Sequence, residues 1–161
     1  MERVNKLPPM TVLDGEIRGG RHIMQVRVYY EDTDFTGIVY HANYLRFMER
    51  GRTNYLRLIG NDHRALFEAA QQEAPGFAFV VRHMTLDFLK PARMDDVVDV
   101  ITAPDDVRGA SITLRQKVMR GAELLVEARV QVAFISQGRA QRIPKPLREA
   151  MQGDLGTGKH D

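Results

Sequence analysis

The stretch from Tyr29 to Arg52 reads YYEDTDFTGIVYHANYLRFMERGR and brings a phenol (Tyr30), a carboxylate (Asp34) and an imidazole (His41) within twelve positions. A carboxylate so placed can act on an acyl carbonyl in two ways. It attacks the carbon to form a mixed anhydride, or it takes a proton from the water that attacks. The oxyanion formed in either case needs hydrogen-bond donors, and a helix N-terminus offers free backbone N–H groups with a favourable dipole. His41 stands where the following helix begins, so its N–H is the candidate donor and its ring a candidate for touching substrate or placing water. Each residue also has a plain structural reading. Asp-Phe-Thr-Gly is ordinary Asx-turn chemistry, His41 can simply cap a helix, and Tyr30 can be a core aromatic at a strand end.

Periodicity says what must hold that loop. Tyr44, Leu45, Phe47, Met48, Tyr55, Leu56, Leu58 and Ile59 share one side at spacings of three and four, which predicts a long amphipathic helix stopped by Gly60 and Asn61. Gly51 falls on the apolar face, where it costs about 1 kcal/mol relative to alanine, so a closely packed backbone is expected there. Glu49 reads as a salt-bridged helix position. Ahead of the helix, His22 to Tyr30 alternates as a strand; behind it, residues 62–74 predict a short second helix with Asp62 as N-cap. Phe77, Phe79 and Val81 have one parity and Met84, Leu86 and Phe88 the other, so a bulge is expected near Arg82-His83. Val97 to Thr102 predicts another strand, ended by a turn at Pro104-Asp105-Asp106, and two long alternating runs around Arg120-Gly121 predict a hairpin. The result is an α+β domain over residues 21–150, with residues 1–20 a flexible extension and 151–161 a flexible tail. Long edge strands favour a homo-oligomer.

Composition narrows the class. A chain of 161 residues with 43% apolar side chains suits one domain with its own core, and the absence of cysteine excludes disulfides and fits a cytoplasmic setting. The 23 Lys+Arg against 21 Asp+Glu are dispersed, which argues against a nucleic-acid surface. No apolar run reaches the length of a transmembrane segment. The histidines are scattered without paired-ligand spacing, so no metal is expected, and no GxGxxG, GxxxxGK[ST] or GxSxG motif occurs.

The opening stretch resembles the hotdog-fold acyl-CoA thioesterases of the 4-hydroxybenzoyl-CoA thioesterase type, most closely the Tol-Pal-associated YbgC group. The aspartate loop, the glycine three residues after Asp34, the Val-Tyr-His-Ala-Asn-Tyr approach to the helix and the Glu-Arg pair match in order and spacing. RHMTLDFLKPARMDD and the terminal hairpin extend the resemblance to roughly Ile23 through Pro146. It implies a central helix wrapped by a five-stranded antiparallel sheet, homodimers joined edge to edge or homotetramers, and active sites between subunits. The implied reaction is hydrolysis of a short-chain or aromatic acyl-CoA, with acyl carrier protein as a second acyl donor. Coenzyme A then enters as part of the substrate, and no cofactor is implied. On this sequence the resemblance puts the catalytic acid or nucleophile on Asp34, beside Tyr30 and His41. For the phosphates of coenzyme A it points to Arg108 and Ser111, with Lys90 and Arg93 as alternatives. Glu49 occupies the region that carries the catalytic carboxylate in hotdog dehydratases. A non-catalytic scaffold that binds acyl-CoA or acyl carrier protein is the competing reading.

Overall fold

The computed structural model describes residues 11–158. In chain order it contains a helical turn α1 (Thr11–Asp14), strands β1 (Glu16–Arg18) and β2 (Arg21–Arg27), helices α2 (His41–Asp62) and α3 (Arg64–Glu73), and strands β3 (Ala78–Phe88), β4 (Val97–Val107), β5 (Ser111–Arg120), β6 (Glu123–Ser136) and β7 (Arg139–Ala140). Helix α4 (Lys145–Gly158) closes the chain. The strands form one sheet in the order β1-β2-β4-β5-β6-β3, with β7 paired to β6, and every pairing is antiparallel. Five long strands wrapping α2 give the expected hotdog arrangement, and the short second helix is α3.

The period-two runs do what alternation dictates. β5 turns Ile112, Leu114, Gln116 and Val118 inward and leaves the residues between them half-exposed. Helix α2 buries Tyr44, Phe47, Met48, Gly51, Tyr55 and Ile59 against that surface. Each large apolar side chain so buried contributes roughly 1.5–3 kcal/mol. Gly51 is the point of closest approach: a Cβ there would lie 2.9 Å from Thr102 Oγ1 and 3.0 Å from Val100 Cγ1. A polar clamp sits at the same crossing. Buried Gln116 donates from Nε2 to the Met48 carbonyl at 2.9 Å and to Thr102 Oγ1 at 2.8 Å, and its Oε1 accepts from Arg52 at 2.9 Å.

The expected bulge is present, with the β3–β6 register shifting between Val81 and His83. Other expectations need correction. β2 ends at Arg27, not Tyr30, because Val28 leaves the ladder to exchange backbone hydrogen bonds with Asp95 and Asp96. Helix α2 passes through Gly60 to Asp62, the space above Gly60 being filled by Phe67 3.3 Å from where a Cβ would sit. His63, not Asp62, caps α3. Pro104-Asp105-Asp106 does not turn the chain; β4 absorbs it as a bulge between Pro104 and Asp106 and runs on to Val107. Leu45 is exposed rather than core, and Glu49 makes no ion pair among the described residues, accepting instead from the Thr53 hydroxyl at 2.7 Å.

Regular structure reaches into both ends of the chain. Residues 1–10 and 159–161 lie outside the described residues, but Glu16–Arg18 pair with β2, and Asp14 accepts from Arg57 at 3.2 Å. Ile143, Leu147 and Met151 are buried and fasten α4 over the sheet, with Asp154 accepting from the Tyr55 hydroxyl at 3.2 Å. Among the described residues no helix is long and apolar enough to cross a membrane.

Candidate active site

From the end of β2 the chain enters a 3-10 turn at Tyr30–Asp32 and then the loop of residues 33–40. The loop is closely tied down. Thr33 bridges to Val39 and Ile38 to Arg93, while Val39 N–H donates to the Ala92 carbonyl at 2.9 Å. Within the loop, Asp34 N–H donates to the Ile38 carbonyl at 2.8 Å and Gly37 N–H to the Asp34 carbonyl at 3.1 Å. Gly37 takes φ +84°, the left-handed conformation that glycine adopts without strain. Asn43 Nδ2 reaches back to the Asp32 carbonyl at 2.8 Å and so fixes the loop to the first turn of α2.

Asp34 satisfies both the catalytic and the structural reading. Its Oδ1 accepts from Thr36 N–H at 2.8 Å and from the Thr36 hydroxyl at 2.6 Å, which is an Asx turn. The Ile38 backbone also lies against the carboxyl. The Thr36 hydroxyl, then the Thr36 and Ile38 backbone bonds and the electrostatic influence of the neighbouring His41 ring, hold the carboxyl below its ordinary range. Asp34 is therefore an ionised group with its Oδ1 committed to the turn.

Helix α2 begins without a side-chain cap. Tyr40 is its N-cap and makes no cap hydrogen bond from its side chain, and its carbonyl accepts from Asn43 N–H at 2.8 Å. The N–H groups of His41 and Ala42 have no acceptor among the described residues. The exposed His41 ring lies 4.6 Å from that of Tyr40 and 6.0 Å from that of Phe88. It borders a groove of 240 Å³ walled by Ile38, Val39, Tyr44, Phe88 and Pro91. The Tyr44 hydroxyl accepts from Ala92 N–H at 2.9 Å, and burial pushes its phenol up, so this wall stays neutral. An ionised carboxylate within electrostatic reach of His41, two amide donors at the start of α2 and an apolar groove bordered by His41 are parts that acyl transfer through an oxyanion requires, although Asp34 itself does not line the groove.

Not every predicted site residue joins them. Tyr30 belongs to the 3-10 turn and is 81% exposed, so it is neither a strand end nor a core aromatic, and it does not line the groove. Lys90 does line the groove and pairs with Glu123 at 3.5 Å. Arg93 supports the loop through its bridge to Ile38, with its N–H on Asp96 Oδ2 at 2.8 Å. Arg108 and Ser111 sit at the opposite end of β4 and β5, about 33 Å of strand away from Val97. Arg108 pairs there with Asp106 at 2.6 Å, so one protomer does not bring it to the groove. The sequence reading missed Thr36, Tyr44 and Phe88 as site residues. Thr36, two residues after Asp34, could have been found from the Asx-turn spacing; Phe88 reaches the groove only through the sheet and carries no local signal.

A helix wrapped by an antiparallel sheet, with a carboxylate loop at its open N-terminus, defines a hotdog-fold thioester hydrolase. The chain belongs to the thioesterase superfamily, whose family model matches residues 36–131. It is 42% identical over 127 residues to the acyl-CoA thioesterase YbgC of Haemophilus influenzae, covering 78% of this chain and 90% of that protein. It is 40% identical over 125 residues to the acyl-CoA thioester hydrolase YbgC of Escherichia coli O6:H1, covering 76% and 89%. A solved structure of a probable thioesterase from Bartonella henselae matches with a TM-score of 0.65 at 38% identity, over 78% of this chain and 99% of that one.

Proposed function

We propose that the protein hydrolyses acyl-CoA thioesters to a free acid and coenzyme A, with Asp34 as the reacting carboxylate and the His41 and Ala42 amides as oxyanion donors. The observation that carries this reading is the pairing of an ionised carboxylate, within electrostatic reach of His41, with an uncapped helix N-terminus beside the groove. The thioester carbonyl enters over the N-terminus of α2. Asp34 either deprotonates water or adds to the carbon, and negative charge collects on the carbonyl oxygen, where two amides and the helix dipole stabilise it. Loss of one such donor typically costs about 2.7–4 kcal/mol of transition-state stabilisation. The thiolate of coenzyme A leaves and is protonated; on the base route water has already supplied the acid's oxygen, and on the nucleophilic route water then hydrolyses the Asp34 mixed anhydride, which releases the acid and restores the carboxylate.

A groove of 240 Å³ has room for a short or monocyclic aromatic acyl group, and relatives named as acyl-CoA thioesterases favour coenzyme A as the carrier. Acyl carrier protein presents the same thioester and is a second donor. Lys90 is the groove's own cation for phosphates, while Arg108 and Ser111 reach a site only when a second copy contributes them. The working form in this reading is a homodimer or homotetramer in the cytoplasm, and its tie to the Tol-Pal system rests on the YbgC likeness alone.

The test is release of free thiol from acetyl-, butanoyl- and benzoyl-CoA. Asp34→Asn is expected to lower kcat by about 10²-fold or more while the circular dichroism spectrum stays unchanged. Equal rates for a folded Asp34→Asn protein would refute the assignment.

A further inference from the structure

The parts assembled at the start of α2 share one backbone support, the segment of residues 91–96 between β3 and β4. The Ala92 carbonyl accepts from Val39 N–H at 2.9 Å, and Arg93 forms a β-bridge with Ile38, whose carbonyl accepts from Asp34 N–H at 2.8 Å. Ala92 N–H donates to the Tyr44 hydroxyl at 2.9 Å, which ties the same residue to the first turn of α2. Pro91, one position earlier, walls the groove. A displacement of this segment therefore changes how the carboxylate loop, the helix start and the groove wall face one another.

The segment is neither strand nor helix, and Asp95 within it takes φ +70°. Residues other than glycine populate that left-handed region sparsely, and they keep it where the surrounding structure fixes them. Two sets of bonds do so here. The Val28 backbone accepts from Asp95 N–H at 2.9 Å and donates to the Asp96 carbonyl at 2.8 Å. The second set is an ion pair. Asp96 Oδ2 accepts from Arg93 N–H and from Arg120 Nη1, both at 2.8 Å, and the same Arg120 nitrogen donates to the Pro91 carbonyl at 3.2 Å. Arg120 ends β5, and Glu123 at the start of β6 accepts from its Nε at 3.3 Å, so the guanidinium is anchored to the sheet. The Arg120 and Asp96 side chains are 30% and 26% exposed, and a pair so placed adds little to global stability. What it fixes is local geometry, because its charge-assisted bonds end on Pro91 and Arg93, the residues on either side of buried Ala92.

We propose that Asp96 and Arg120 are positioning residues for the thioesterase reaction: they brace the backbone around Ala92 and thereby set the Asp34 loop against the start of α2. Neither side chain lines the groove, so both act through Ile38, Val39 and Tyr44. The inference rests on the hydrolytic reading. A misplacement of about 1 Å by a change remote from the chemistry costs as much as about 10²-fold in rate.

The experiment compares the wild type with Arg120→Ala and Asp96→Ala in turnover of acetyl-, butanoyl- and benzoyl-CoA, in urea unfolding and in backbone amide hydrogen exchange. Both variants are expected to fold and to lose about tenfold or more in kcat, with KM changed less than about threefold. The amides of Asp34, Gly37 and Val39 should exchange faster, while those in the middle of β5 and β6 keep their wild-type rates. Millimolar guanidinium, with sodium chloride at the same concentration as control, should restore part of the Arg120→Ala rate and none of the Asp96→Ala rate. Asp96→Asn, which keeps the side-chain volume and one acceptor oxygen, is read in the same way should an alanine variant fail to fold. Folded variants with the wild-type kcat, or with a lowered kcat and unchanged exchange at Asp34, Gly37 and Val39, would overturn the proposal. A wild type that turns over none of the three thioesters, with those amides loosened in the variants, would support the brace and count against the hydrolytic reading.

Discussion

At the scale of single residues, the proposed reaction turns on how Asp34 is held. Thr36 contributes a backbone N–H and a hydroxyl to the same carboxylate oxygen, and both bonds favour the ionised form. In the proposed reaction Asp34 acts as an anion, so activity is expected to be lost as the pH falls through its depressed folded-state pKa, and the acid limb of kcat/KM should lie below the ordinary aspartate range. Thr36→Val keeps the N–H and removes the hydroxyl, so the limb should move up in pH. An acid limb unchanged in Thr36→Val would mean that a different group is titrating.

At the scale of elements, α2 is held by its buried apolar face, and one close crossing at Gly51 sets how near it lies to the sheet. Gly51→Ala offers the helix about 1 kcal/mol of propensity. The added Cβ would meet Thr102 Oγ1 at 2.9 Å, Val100 Cγ1 at 3.0 Å and Gln116 Nε2 at 3.3 Å. Overpacking of this kind costs about 1–3 kcal/mol, so net destabilisation is expected in urea denaturation. A stabilised Gly51→Ala protein would show that the crossing has slack. This contact was legible in the sequence, because a glycine in the middle of an apolar helix face sacrifices helix propensity and buried area together unless another element packs close against it. The bulge at Arg82-His83 was equally legible from its change of parity. The extension of β4 through Pro104-Asp105-Asp106 was not, because those residue types favour turns and only the pairing with β5 holds them extended. Helix α4 was hidden for a related reason: Pro144, Pro146 and three glycines mask the spacing of Ile143, Leu147 and Met151, and tertiary burial decides the outcome. In the site, Asp34 and His41 could be read locally, but the place of Phe88 in the groove and the distance of Arg108 from it depend on the sheet order, which no local pattern states.

At the scale of the whole molecule, β3 is the outer strand of the sheet and leaves one edge without a partner strand among the described residues. Val80, Val81, Phe88 and Leu89 on and beside it are 38–54% exposed. An edge of that length and polarity favours self-pairing, so sedimentation equilibrium should give two or four copies; a monomer at assay concentration would contradict it. Such pairing would also bring distant strand ends such as Arg108 near a second groove. The central claim, that the ionised carboxylate and the bare start of α2 act together on one carbonyl, is tested most directly by a crystal structure of Asp34→Asn trapped with an intact acyl-CoA. The carbonyl oxygen is predicted to lie about 2.7–3.1 Å from the His41 or Ala42 N–H, with residue 34 alongside the thioester carbon. A thioester seated away from the start of α2, with both amides facing solvent, would contradict the claim.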